Sequence, residues 1–427
     1  FSLCCTLKAQ NVWSLSDCVQ YALENNLHVK RQQTEIDRQE IQQQTTKWSR
    51  LPDLNATGMQ KFDFGRSLNR ENTYDDINSQ NSAFSISTEV SLFNGMKTMH
   101  TIARQNLELK AHHENLEKIK NDISLQIAVN YFQILLNKEI LEIAKEQVNL
   151  SRELEKVTQT LAAHGKVASS QVYDVQAQVA NDELNVTKAQ NTWRLSVVDL
   201  IQLLEMAEFD TFEIQNVQEE ISSLFIQNPN DVYALAREIM PEIKSAELSV
   251  ESSGKAVKIA RSGYYPTLAF VAGLSSNYYH YSNLDNTSFG NQLENNLQKT
   301  IYLSLRVPIF NRLSTRNAVR TARKNYDESR LIAEQACNTL YKEIQKAYYD
   351  ALSAQEKYFS TEKAVYANTE AIRYACEKYN AGKYTADEYN EVKLKLANSL
   401  SEQAQAKYEF MLQKKLLDFY SGTPIEE

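Results

Sequence analysis

The chain has 427 residues, of which only 10 are Gly and 6 are Pro, against roughly 12% for the two together in an average protein. Its 46 Lys and Arg face 54 Asp and Glu, a net charge of −8 that excludes nucleic-acid binding through a basic surface. A hydrophobic share of 42% supports a core, but no window reaches the roughly 18 apolar residues of a spanning helix, so a polytopic helical membrane protein is excluded as well.

So few backbone breakers predict long uninterrupted helices. The opening, Phe1 to Gln10, reads as the end of an apolar secretory segment with a small-residue cut near Ala9 or Gln10, and residues 1–10 are set apart on that basis. The cysteines Cys4, Cys5, Cys18, Cys337 and Cys376 are odd in number and lack CxxC spacing, which points to neither a disulfide framework nor a zinc site. Lipidation at Cys4 or Cys5 stays open.

From residue 11 onward the chain repeats itself. Asp17, Ala22, Val29 and Pro52 match Asp231, Ala236, Ile243 and Pro266 at a constant separation of 214. Further along the separation becomes 217: Phe93 and Asn94 match Phe310 and Asn311, Ile127 and Tyr131 match Ile344 and Tyr348, and Gly165 and Lys166 match Gly382 and Lys383. Copy one runs over 11–206 and copy two over 231–420, with a linker at 207–230 and a tail at 421–427.

Each copy opens with one helix, over 15–50 and 231–264. Ser16 is the expected N-cap of the first, and Pro52 marks its stop. Two strands follow in each copy, at 52–64 and 82–93, then at 266–279 and 300–310. Leu54, Ala56, Gly58, Phe62, Phe64, Phe84, Ile86, Val90 and Leu92 fall on even positions; Leu268, Phe270, Ala272 and Leu274 alternate likewise, and Ile301, Leu303, Leu305 and Val307 return the pattern. Strands of this length cross a bilayer as tilted β-structure. The polar stretches Gly65 to Gln80 and Tyr281 to Gln298 read as exposed hairpin loops, with Tyr278, Tyr279, Tyr281 and Tyr302 near the strand ends.

A helical hairpin closes each copy, over 96–206 and 313–420. Met96 to Leu161 contains no Gly or Pro, and at 1.5 Å per residue such a run makes roughly 100 Å of helix. Gly165 and Gly382 end the long helices in the left-handed conformation that glycine adopts freely. Four strands per chain leave two open edges, so the sheet must close with strands of other chains; three chains and twelve strands leave room for water. The fold class is therefore mainly α with transmembrane β, a duplicated helix, β-hairpin and helical hairpin assembled as a trimer.

These residues resemble the TolC-like outer-membrane efflux and secretion channels. Leu15-Ser16-Asp17 through Ala22-Leu23-Glu24-Asn25-Asn26 is similar to the family's start, Met240-Pro241-Glu242-Ile243 to its second-repeat start, and Tyr379-Asn380-Ala381-Gly382-Lys383-Tyr384-Thr385 to its periplasmic hairpin tip. The resemblance implies a homotrimer with a 12-stranded barrel in the lipid of a Gram-negative outer membrane, a periplasmic helical tunnel, and a belt built from 207–230 and the tail. It further implies a periplasmic adaptor and an inner-membrane pump as partners, with docking at Gly165, Lys166, Ala381, Gly382, Lys383, Tyr384 and Thr385.

The family's acidic aperture positions fall on Glu388 and Glu391, and the matching positions in copy one are Gln171 and Asp174. Where the family often has a basic residue two positions after the tip glycine, this chain has Tyr384. Thr385 and Glu388 also have capping-box spacing, a structural use for the same glutamate. No HExxH, GxSxG, P-loop or GxGxxG occurs, so no enzyme, cofactor or metal is expected. The rival reading is a soluble coiled-coil scaffold, which has no use for two alternating hairpins at equivalent places. Without a Met-rich or His-rich lining, drug or general efflux leads over metal.

Overall fold

The computed structural model describes residues 12–68, 72–76, 78–206, 212–217, 227–282 and 284–425. The opening residues 1–10 and most of the 207–230 linker lie outside the described residues. Two compact units arise, one from 1–34, 113–244 and 334–427, the other from 35–112 and 245–333.

The chain begins with a short strand β1 (Val12–Trp13), then α1 (Leu15–Asn25) and α2 (Leu27–Trp48). Ser14 caps α1 in place of the expected Ser16, because Asp17 sits three residues on and completes a reciprocal capping box. The single opening helix is also corrected to two. Asn26 takes an extended conformation, its Oδ1 accepts from the His28 amide at 2.8 Å, and its Nδ2 donates to the Leu203 carbonyl at 3.1 Å. Copy two breaks at the equivalent Met240, between α5 (Pro229–Ile239) and α6 (Pro241–Arg261), where Pro241 disfavours a helical residue before it.

The strand unit holds β2 (Asn55–Asp63), a small hairpin of β3 (Arg66–Leu68) and β4 (Tyr74–Asp76), and β5 (Ser79–Phe93). Copy two supplies β7 (Thr267–Tyr281), α7 (Phe289–Asn295) and β8 (Gln298–Arg306). The two stretches expected as plain loops therefore carry structure. Phe289 of α7 packs edge-on against Phe84 and Tyr278, and Gln292 bonds to both backbone groups of Tyr279. The main sheet has the order β2-β5-β7-β8, antiparallel throughout.

Two 67-residue helices, α3 (Lys97–Ala163) and α8 (Ser314–Asn380), leave the sheet, and α4 (Ser169–Leu203) and α9 (Ala386–Tyr420) return as 35 residues each. The strand-to-helix junction has two consecutive left-handed residues in both copies, Gly95-Met96 and Arg312-Leu313. In the helical unit Ile127, Tyr131, Ile344 and Leu417 are buried. Tyr131 donates at 2.6 Å to the Gln215 carbonyl, beside the parallel pairing of β1 with β6 (Glu213–Ile214), and burial pushes its phenol well above the ordinary range.

Candidate channel wall and tip

Strand pairing decides which side chains share a face, since directly opposed residues point the same way. In the sheet the rows Ala56–Ile86–Leu274 and Val90–Phe270–Leu303 lie on one face. The other face carries Thr57–Ser85–Ser275, Ser87–Gly273–Thr300 and Ala269–Ser304. Thr57 and Ser85 bond to each other across that polar face at 2.6 Å. One face thus suits hydrocarbon and the other suits water, the arrangement of a barrel wall. The alternation breaks at Leu92, where a bulge between Ser91 and Phe93 leaves it without a partner on β7. The outer strands β2 and β8 each have one side unpaired among the described residues.

The tips lie in the helical unit. Gly165 and Gly382 both have φ of +69°. The Lys166 amide bonds the Leu161 carbonyl and the Lys383 amide bonds the Lys378 carbonyl, each at 2.9 Å, closing the last turn of each long helix. A Cβ on either glycine meets nothing within 4 Å, so conformation rather than space requires glycine there.

Beneath the tips a small core forms from Leu154, Leu161, Val175, Ala375, Tyr379 and Tyr389. The Tyr379 hydroxyl and Thr158 share a 2.6 Å hydrogen bond that ties α8 to α3. Tyr384 lies under the Lys378 ammonium, 4.7 Å from its ring centre, with its hydroxyl accepting from that ammonium at 3.3 Å. Sequence reasoning placed Tyr384 among the tip residues and noted it where the family often has a basic one; the structure sets the Lys378 ammonium against it.

Glu388 accepts from the Thr385 amide at 2.8 Å and from its hydroxyl at 3.0 Å, and Thr385 in turn caps α9. Those bonds, the backbone one foremost, hold its carboxyl below the usual range. Glu391 is exposed and pairs with Lys395 one turn on at 2.7 Å. Asp174 is exposed and Gln171 half-buried near the start of α4. Ala381, Gly382, Lys383 and Thr385 are exposed together on the copy-two tip, and Gly165 and Lys166 on the copy-one tip.

One cluster escaped the sequence reading. Lys393 of α9 is buried against Asp182 of α4 at 2.6 Å, with Ser151 of α3 bonded to both. Its signal was position: Lys393 falls between Tyr389 and Leu396 on the buried stripe of α9.

Comparison with known proteins gives a consistent picture. The sequence profile of the outer membrane efflux protein family matches residues 18–205 and again 232–423, one match per copy. Toxin and drug export protein A of Aggregatibacter actinomycetemcomitans is 21% identical over 300 residues, 70% of this chain but 63% of its own length. This chain therefore spans less than two thirds of that relative. Crystal structures of CusC superpose with a TM-score of 0.81 at 15% identity, over 96% of this chain and 92% of that one. VceC from Vibrio cholerae superposes at 0.80 and 16% identity, over 96% of each chain.

Proposed function

The chain belongs to the outer membrane efflux protein family, and from that premise we propose that three copies form the exit duct of a tripartite efflux system. The family is one of outer-membrane transport proteins and not of enzymes. The observation that carries the finer reading is the four-stranded sheet with one apolar face, one polar face and two open edges. Unpaired edges in lipid cost several kcal/mol per group, and three copies remove all of them by closing a twelve-stranded barrel. Such a barrel has a wetted polar lumen and needs no energy source of its own.

The exposed tips around Gly165-Lys166 and Ala381 to Thr385 dock a periplasmic adaptor that couples to an inner-membrane pump. Glu391, with Glu388, Asp174 and Gln171, rings the aperture; three copies multiply each carboxylate threefold and favour cations. The cargo is drug-like or general. That choice rests on the sequence, which carries no Met-rich or His-rich lining; of its relatives one is named for toxin and drug export and another for cation efflux.

The test is reconstitution of the purified protein into planar bilayers together with its native mass in detergent. Stepwise conductance from a three-chain particle is expected. A monomer without conductance overturns the reading.

A further inference from the structure

The two copies are related by one numerical rule, and the sheet obeys it residue by residue. Adding 214 to β2 and 217 to β5 converts the pairs Asn55–Ser87, Ala56–Ile86 and Gln60–Ser82 into Ala269–Ser304, Phe270–Leu303 and Leu274–Lys299, all of them observed pairs of β7 with β8. The internal hairpins are therefore equivalent in register as well as in shape.

The remaining pairing, β5 with β7, joins copy one to copy two inside the chain. In a closed ring of duplicated chains, the junction between neighbours joins copy two of one chain to copy one of the next. It is the same kind of junction. We infer that β8 of one chain pairs with β2 of a second copy of this chain in the register inherited from β5 and β7. This inference rests on the trimeric reading above and adds its residue-level interface.

Applied to β5 and β7, the rule turns Phe84–Ser276, Ser85–Ser275 and Ile86–Leu274 into Ile301–Phe62, Tyr302–Lys61 and Leu303–Gln60 between chains. Ile301 and Phe62 both belong to the apolar face, and Tyr302 and Lys61 both to the polar face, so the register preserves the two-sided wall. Both edges are nine residues long. Seven pairs form, from Thr300–Asp63 to Arg306–Thr57.

The adjoining helices follow the same rule. Within the chain, Ser252 of α6 donates to Glu108 of α3 at 3.2 Å; the rule maps this contact to Arg38 of α2 and Asn325 of α8, a guanidinium donor facing an amide oxygen. At the sheet junction, the Gly95 position lies against Ser262 and Tyr265, which map to Arg312 against the neighbour's Trp48 and Leu51. Trp48 and Leu51 are 66% and 56% exposed in the single chain, and a second copy covers them at this place. Charge, polarity and exposed apolar area thus select another copy of this chain as the occupant.

Cysteine pairing reads the register directly, since opposed strand residues lie within disulfide reach and residues shifted by two do not. In a parent whose native cysteines are replaced by serine or alanine, Tyr302→Cys with Lys61→Cys is expected to give an oxidised band of about three chain masses, lost on reduction. Tyr302→Cys with Met59→Cys, or with Asp63→Cys, stays unlinked. A second pair outside the sheet, Arg38→Cys with Asn325→Cys treated with a short bismaleimide, gives the same ladder. Linkage of a shifted strand pair, or of no pair in a particle of native trimeric mass, overturns the register and leaves the trimer standing. A native mass of one chain, alone or with a foreign partner on its edges, overturns both.

Discussion

Lys393 on α9 donates to Asp182 on α4 across 2.6 Å, with the lysine wholly buried and the aspartate nearly so. Ser151 of α3 donates to the same carboxylate oxygen at 2.5 Å and accepts from Lys393, and Gln178 donates to the other oxygen at 2.9 Å. Three helices thus meet at one hydrogen-bonded ion pair. Burying two charges without such partners costs several kcal/mol per ion, so the cluster ties the register of α9 to the copy-one hairpin more than it adds net stability.

Removing one partner leaves the other charged and unpaired. Lys393→Met or Asp182→Leu alone is expected to destabilise the helical unit by about 3–5 kcal/mol, and the double variant to recover most of that loss. Chemical denaturation followed by helical circular dichroism checks it. A double variant that loses the sum of the two single losses would mean that the two residues act independently.

The junction glycine differs from the tip glycines in what surrounds it. Gly95 has φ of +65°, and a Cβ there would lie 2.8 Å from the Ser262 carbonyl oxygen, whereas a Cβ on Gly382 meets nothing. Gly382→Ala should therefore cost only the left-handed backbone, about 1–2 kcal/mol. Gly95→Ala adds a backbone collision and is expected to lower the yield of heat-modifiable folded protein severalfold, while Gly382→Ala leaves that yield near normal. Equal yields for the two would remove the collision argument.

At the proposed aperture the two glutamates hold different commitments. Among the described residues Glu388 is bonded to Thr385, and Glu391 to Lys395 on its own helix. Glu391→Ala is therefore expected to raise single-channel conductance and weaken block by divalent cations, with Glu388→Ala adding to the effect. Thr385→Ala removes the cap at about 1 kcal/mol of helix stability. If that substitution alone reproduces the electrical phenotype, the effect belongs to the fold of the tip and the carboxylate ring is excluded.

The large features were legible because they rest on local chemistry. Sixty-seven residues without a breaker leave a helix no place to stop, and even-position apolar residues from Ala56 to Val90 give the sheet its face. The break at Asn26 was not legible, because Leu27 and Val29 continue a helical pattern, while the Asn26 side chain both caps the next helix at His28 and reaches Leu203, 177 residues away. Lys393 escaped for the same reason, since nothing adjacent to it announces Asp182. The helix α7 was hidden in a polar stretch whose order comes from Phe289 reaching Phe84 and Tyr278.

A pH dependence follows from Glu242 in the first turn of α6. Burial, the largest influence, raises its carboxyl above the ordinary 4.5, and the opposing pull of its own backbone amide and of Lys118 is smaller. The folded state then binds this proton more tightly than the unfolded chain. Stability from this group is present below the unfolded value and declines as pH rises through the folded one. Near neutral pH the half-buried charge is a net cost, so Glu242→Gln should melt higher than wild type at pH 7 and lose that advantage near pH 4. Lowered carboxyls such as Asp17 and Glu388 pull the opposite way in both proteins and cancel in the difference. A melting difference that stays constant across this range would place Glu242 in contact with water and remove the burial argument.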